Sequence, residues 1–375
     1  MSKINTRSPY FIHYNDALLD NVYMELSVYR TEVGDYPDPP TYILNSSAIN
    51  NEVTFEISEL VRDYIEEVFD GSYVSNNFAV SYWSTKTIAG VVQAAESVVT
   101  IMAYDGYGYF PEGANPQLSQ DVLQSNTVIV SNDLNAINIP ISPITGDVTV
   151  NYYSNGVILY SDVISKSTNS TNTIQYSTNS IGDIDLFTSR VLLDGGIVEA
   201  KECVKATYDD YYSVIDTDYI EVIVDDTGDI QIYTVKEIEE CRYHSYKVVF
   251  KNKFGAWQDL WFFKRSDLSL STKSETYKSN VVTGGSYNTS RHQKSIFNKN
   301  GQETLKLNTG FYPEEYNEVF TQLSLSEQVY ITYENQTLPI NIKTGNITFK
   351  NKISDKLINY TIEVEFAFDK INNIR

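Results

Sequence analysis

Residues 243–265 read YHSYKVVFKNKFGAWQDLWFFKR, two apolar runs joined by a turn. Tyr246, Val248 and Phe250 alternate with Lys247, Val249 and Lys251, and after Asn252-Lys253-Phe254-Gly255 come Trp257, Leu260, Trp261, Phe262 and Phe263. Aromatic and β-branched residues at strand period, split by a Gly-containing turn, predict a β-hairpin. Two of the chain's three Trp fall here. Each large aromatic buries roughly 150–250 Å², so Trp257, Trp261, Phe262 and Phe263 are expected to form a core or an interface. The stretch carries no group that would perform chemistry.

The same signature recurs outward from this hairpin. Tyr219–Val224 and Ile230–Val235 flank Asp225-Asp226-Thr227-Gly228-Asp229, a second hairpin signal. Asn155-Gly156 between apolar runs is a third, since both residues tolerate positive φ. In 360–368, Tyr360, Ile362, Val364, Phe366 and Phe368 alternate with mostly polar residues, as in an antiparallel strand wet on one side. Val22, Met24, Leu26 and Val28 do the same in 21–30. Two stretches have helical period instead. Ile57, Leu60, Val61, Tyr64, Ile65, Val68 and Phe69 form one stripe, with Asp70-Gly71 as a stop. Pro313 opens the other, with Tyr316, Val319, Phe320 and Leu323 as its apolar face.

The expectation is a mainly β protein of two or three antiparallel β-sandwich-like domains with two short amphipathic helices. The boundaries fall at 1–122, an N-terminal β domain with one helix; 123–205, a small immunoglobulin-like sandwich; and 206–375, a C-terminal β domain with one helix. The polar stretch 266–298 in the last domain is long for a structureless loop and reads as an extended arm or an ordered functional loop.

Composition bounds the function. Thirty Tyr and 16 Phe in 375 residues suit half-buried sheet faces and broad contact surfaces alike. A net charge of −21 opposes binding to nucleic-acid phosphates. Cys203 and Cys241 are too few for a disulfide framework. No secretory h-region opens the chain and no run of 18 apolar residues predicts a membrane span, which suggests synthesis in a reducing cytoplasm.

Motifs for catalysis, cofactors and metals are not found. His13, His244 and His292 lie far apart, and neither HExxH nor CxxC occurs. No GxSxG, P-loop or GxGxxG stands in the right context. Asp225, Asp226 and Asp229 offer too few oxygens for Ca²⁺, and a tight turn accounts for them. Asn169-Ser170-Thr171 matches a glycosylation triplet, which chance produces in a chain this rich in Asn, Ser and Thr. The loop 105–113, DGYGYFPEG, reads either as an exposed contact loop using Tyr104, Tyr107 and Tyr109, or as a domain exit packed onto the core.

Three stretches carry a resemblance. They are PTYILNSSAINNEVTFEISELVRDYIE at 40–66, YKVVFKNKFGAWQDLWFFKRSDLSLSTKSETYK at 246–278, and GFYPEEYNEVFTQLSLSEQVYITYENQTLPINI at 310–342 with LINYTIEVEFAFD at 357–369. Together, a little over a quarter of the chain resembles structural proteins of tailed bacteriophages, especially phages and prophages of Bacteroidetes-type hosts. The resemblance implies a non-enzymatic virion component made in the host cytoplasm, in the tail, baseplate or head–tail collar. It also implies a homo-oligomeric ring among other virion proteins, and it transfers no active-site residues. Two other readings stay open. One is a carbohydrate-binding receptor-recognition module whose Tyr104, Tyr107 and Tyr109 contact glycan. The other is a glycan-degrading enzyme using two convergent carboxylates.

Overall fold

The computed structural model describes residues 3–30, 39–65, 68–69, 78–116, 125–131, 138–140, 148–154, 156–164, 175–177, 219–224, 229–238, 240–345 and 357–372. The protein is mainly β, with several antiparallel sheets and, among the described residues, two α-helices. Two compact units divide the chain: Met1–Glu239 with Phe250–Asp259, and Glu240–Val249 with Leu260–Arg375.

The first unit starts with β1 (Lys3–Asn5), β2 (Phe11–Asn15), β3 (Leu19–Arg30), β4 (Tyr42–Ser47) and β5 (Glu52–Glu56). Helix α1 (Ser58–Arg62), β6 (Phe78–Ile88), β7 (Val91–Val92) and β8 (Val99–Tyr104) follow. One sheet has the order β1-β8-β6-β3-β4 with β7 on β6, and β2 pairs with β5 in a separate ribbon. All pairs are antiparallel except β1 with β8. The alternation in β3 does what its period requires. Val22, Met24, Leu26 and Val28 are buried in one cluster with Ile12, Tyr14, Val53, Phe55, Ile57 and Val61.

Helix α1 is shorter than the apolar stripe predicts. After Arg62 the chain tightens: the Tyr64 N–H bonds to the Val61 carbonyl and the Ile65 N–H to that of Arg62, both three residues back. Ile57, Val61, Ile65 and Phe69 are still buried, but Tyr64 and Val68 face solvent. Val, Ile, Tyr and Phe are middling helix formers, so core contacts hold these side chains without a continuing helix. The strand expected over 90–104 is also interrupted, since residues 93–98 lie outside β7 and β8.

Five strands form a second sheet in this unit: β9 (Thr127–Ser131), β11 (Val148–Ser154), β12 (Val157–Ile164), β14 (Tyr219–Val224) and β15 (Asp229–Ile238), in the order β12-β11-β14-β15-β9. Between them in sequence, β10 (Asn138–Pro140) pairs with β13 (Gln175–Ser177). Glu221 on β14 accepts hydrogen bonds from Asn151 Nδ2 at 2.9 Å and the Tyr153 hydroxyl at 3.0 Å on β11. The sheet pairs β11 with β14 and β9 with β15, strands that lie on either side of residue 205. The Asp70-Gly71 stop, the turn residues Asn155, 145–147 and 225–228, the triplet at 169–171, Cys203 and the strand expected over 346–349 lie outside the described residues.

The remaining strands are β16 (Tyr246–Lys251), β17 (Trp257–Phe262), β18 (Lys264–Lys278), β19 (Val282–Thr283), β20 (Ser286–Tyr287) and β21 (Lys294–Pro313). After β21 come a short 3₁₀ turn, helix α2 (Asn317–Leu325), β22 (Val329–Tyr333), β23 (Gln336–Ile342) and β24 (Leu357–Phe366). Seven strands make one sheet in the order β17-β16-β22-β23-β24-β21-β18. Pro313, at φ −65°, leads into the 3₁₀ turn, as its ring geometry favours. Phe320 of α2 stacks on Tyr360 of β24 with centroids 3.8 Å apart, and Tyr312 meets Phe320 at 5.9 Å and Phe263 at 6.3 Å.

Candidate interaction surface

The four aromatics singled out by sequence are all buried. In the first unit Trp257 packs on Phe69 at 5.0 Å, and Lys251 Nζ sits 5.2 Å over its ring. Lys251 is itself buried and faces Asp105 at 3.4 Å. In the second unit Trp261 stacks on Phe263 at 6.3 Å, and the Trp261 carbonyl accepts the Tyr312 hydroxyl at 2.8 Å. Burial pushes the Tyr312 hydroxyl pKa well up. These side chains hold the fold, and none presents a free face to a ligand.

The loop after β8 differs from an exposed aromatic platform. Tyr104 and Tyr107 are buried; Tyr109 is partly buried. Tyr107 is fixed by its N–H to the Lys253 carbonyl at 2.8 Å, and its ring lies under Arg7 at 4.8 Å and against Tyr109 at 5.8 Å. Lys253 covers the Tyr109 ring at 4.3 Å and pairs with Glu112, whose carboxylate accepts the Tyr109 N–H at 3.0 Å. Close packing in a Gly-rich turn turns the rings inward: a Cβ at Gly106 would lie 2.8 Å from the Lys253 carbonyl oxygen. The fully exposed ring here is Phe110, which the sequence reading did not single out.

The histidines do not converge. His13 Nδ1 meets Thr54 Oγ1 at 2.9 Å, His244 lies edge-on to Tyr246 at 4.8 Å, and His292 is exposed. Among the described residues no group of three His, Cys, Asp or Glu side chains is placed to hold a metal. Cys241 is a free, exposed thiol. Among the described residues no helix is long and apolar enough to cross a membrane.

The surface that stands out is the stretch read as a polar arm. β18 and β21 pair antiparallel from Lys264↔Asn308 to Lys278↔Lys294. On its other side β21 pairs with β24 only from Thr304 onward. At the root, Gln302 Nε2 donates to the Phe366 carbonyl, the Lys370 N–H bonds to the Gly301 carbonyl, and Asn300 Nδ2 bonds to Asp369 at 2.9 Å. Outward from Lys273 and Asn300 the ribbon has two strands, and among the described residues no third strand pairs with it. Exposed positions predominate on both faces through the tip at Gly284-Gly285. At about 3.3 Å per residue such a ribbon spans on the order of 40 Å.

Charge divides the ribbon. The root cations are paired: Lys264 with Glu240, Arg265 with Asp267 at 2.9 Å, and Lys370 with Glu303 at 2.9 Å. The Lys264 hydrogen bond holds the Glu240 carboxyl below the usual carboxylate range. Farther out, Lys273, Lys278, Arg291, Lys294 and Lys299 form no ion pair with a carboxylate among the described residues. Exposed Tyr277, Val282, Tyr287, Ile296 and Phe297 lie between these cations. Tyr277 and Phe297 meet edge to face at 5.7 Å. Cations interleaved in this way with exposed rings can bind an acidic macromolecular surface.

Compared with known protein families the chain matches no family model, and it matches none of the curated proteins it was compared with.

Proposed function

We propose that this chain is a non-enzymatic structural protein of a tailed phage particle, present in repeated copies in the tail or baseplate or in the collar between head and tail. The observation that carries the reading is the ribbon beyond Asn300, two strands with exposed side chains on both faces and, among the described residues, no third strand. A two-stranded hairpin is marginal in water by itself, and a neighbouring protein would supply the missing burial. The aromatic residues singled out elsewhere, Trp257, Trp261, Phe262 and Phe263, are taken up inside the fold. The three stretches similar to phage structural proteins supply the kind of assembly, and repeated copies around an axis are the usual way such parts are built. The partners in this reading are other virion proteins and further copies of the same chain. The protein would be made in the host cytoplasm and end in the particle.

The test is the protein inventory of purified particles induced from a strain encoding this chain. Mass spectrometry should find it at several copies per particle, alongside the other tail or neck proteins. Its absence from particles that contain those proteins would overturn the reading.

A further inference from the structure

We infer that the β18–β21 ribbon of one copy docks onto the acidic first unit of a second copy of this chain. The inference rests on the reading above, that the protein works in repeated copies, and adds which surfaces meet. Residues 264–300 hold seven Lys and Arg against two Asp and Glu, a net charge of +5, in a chain whose total is −21. Residues 1–239 hold ten against thirty-five, a net charge of −25. The ribbon is thus a basic projection on a chain whose acidity is concentrated in its other unit.

The ribbon's own geometry calls for an acidic neighbour. Lys278 and Lys294 stand directly opposite each other in the ladder. Like charges at that position destabilise a pair of strands unless a counter-charge lies across them. Among the described residues the root cations have such carboxylates and the five outer ones do not. On the first unit, Asp20, Glu52, Glu59 and Asp63 are exposed; Asp20 also accepts the Gly90 N–H and Glu52 the Asn15 side-chain amide, which leaves their charge in place. Nucleic acid and anionic lipid would also neutralise the ribbon, and a second copy, itself at −21, meets the same long-range repulsion; what sets the copy apart is that it brings its acid in fixed stoichiometry and on a unit distinct from the ribbon. Donor and acceptor surfaces differ, so the contact is head to tail; such contacts close into a ring or continue as a stack. Tyr277, Tyr287 and Phe297 would supply the apolar centre and the cations the rim.

Sedimentation velocity of the full chain tests this. Wild type should self-associate at about 50 mM NaCl and dissociate at about 0.5 M, where exposed charges are screened beyond a few ångströms. Reversing the five outer cations (K273E, K278E, R291E, K294E, K299E) should weaken self-association by at least about tenfold, as loss of complementary charge does. The reversed chain keeps its acidic unit, so mixed with wild type it should form a complex held by the wild-type ribbon. If reversal disturbs folding, K278A/K294A gives the same comparison with two substitutions.

Undiminished self-association of the reversed chain would overturn the ribbon contact while leaving the assembly reading standing. Failure of the reversed chain to bind wild type would overturn the head-to-tail arrangement. Wild type that binds a duplex oligonucleotide or phosphatidylserine vesicles through the ribbon, but not itself, would assign the ribbon to that ligand and overturn the inference. A chain monomeric at every salt concentration would overturn it too, and only absence from purified particles would remove the particle reading as well.

Discussion

Two hairpins follow each other in this chain with the same kind of backbone ladder and opposite fates. In the first, β16 and β17, Val248, Phe250, Trp257, Leu260 and Phe262 are all at or below 2% exposure. In the second, β18 and β21, Leu268 and Leu270 are more than half exposed, and so is Tyr277 farther out. Net hydrogen-bond stabilisation in water is only about 0.5–1.5 kcal/mol per bond. Burial contributes roughly 25 cal/mol for each Å² of apolar surface removed from water. The first hairpin therefore helps hold the molecule together, while the second keeps its side chains available for a contact elsewhere. The difference lies in the residues hung on the strands.

Three measurements break or sharpen that contrast. Trp257→Ala removes a ring buried against Phe69 and should cost about 3–5 kcal/mol in chemical denaturation. A loss below about 1 kcal/mol would mean that the hairpin is not a core element. Tyr312→Phe keeps the ring and deletes the donor to the Trp261 carbonyl, so the expected cost is smaller, about 1–2 kcal/mol. No change would show that this buried carbonyl finds another donor. Tyr277→Ala on the ribbon should cost less than about 1 kcal/mol, since it loses only an exposed ring pair with Phe297. A loss matching that of Trp257→Ala would erase the distinction between the hairpins.

Sequence made the first hairpin legible because its apolar residues are buried. Alternation reports burial on one face, as it does for Val22 to Val28 and for Tyr360 to Phe366. The ribbon gave no such signal: a strand wet on both faces has nothing to alternate, so 266–298 reads as merely polar even though it is strand for much of its length. The opposite case also misleads. Lys247, Val249 and Lys251 alternate with Tyr246, Val248 and Phe250 along β16, yet Val249 and Lys251 are both buried. The counter-charge that makes burial of Lys251 tolerable is Asp105, distant in sequence and invisible to any local pattern. At 57–69 the four-residue spacing of buried side chains persisted beyond a helix of five residues, because spacing records which side chains meet the core and does not fix the backbone that delivers them.

The candidate surface was legible in part. The stretch was identifiable as an arm, and its basic character can be counted directly. The pairing of root cations and the isolation of the outer ones depend on which residues β21 and β24 bring to Asn300 and Glu303. Tyr104 and Tyr107 illustrate the reverse. Gly-rich aromatic composition suits an exposed loop, but Gly106 lets the backbone approach 253–254 so closely that the rings turn inward.

The two register shifts along the β18–β21 ladder, at Lys264/Asp267 and Lys273/Glu275, bear on what the outer edge of the sheet can pair with. An unbroken outermost strand of fifteen residues would show a straight row of open amide and carbonyl groups, a template for indefinite amyloid-like stacking. The first shift places its extra residue on β18 and bends that row, and the second places it on the partner β21 and breaks the regular ladder behind the row. A long outer strand so interrupted is a poor template for edge-to-edge stacking, which leaves recognition to side chains that can be told apart.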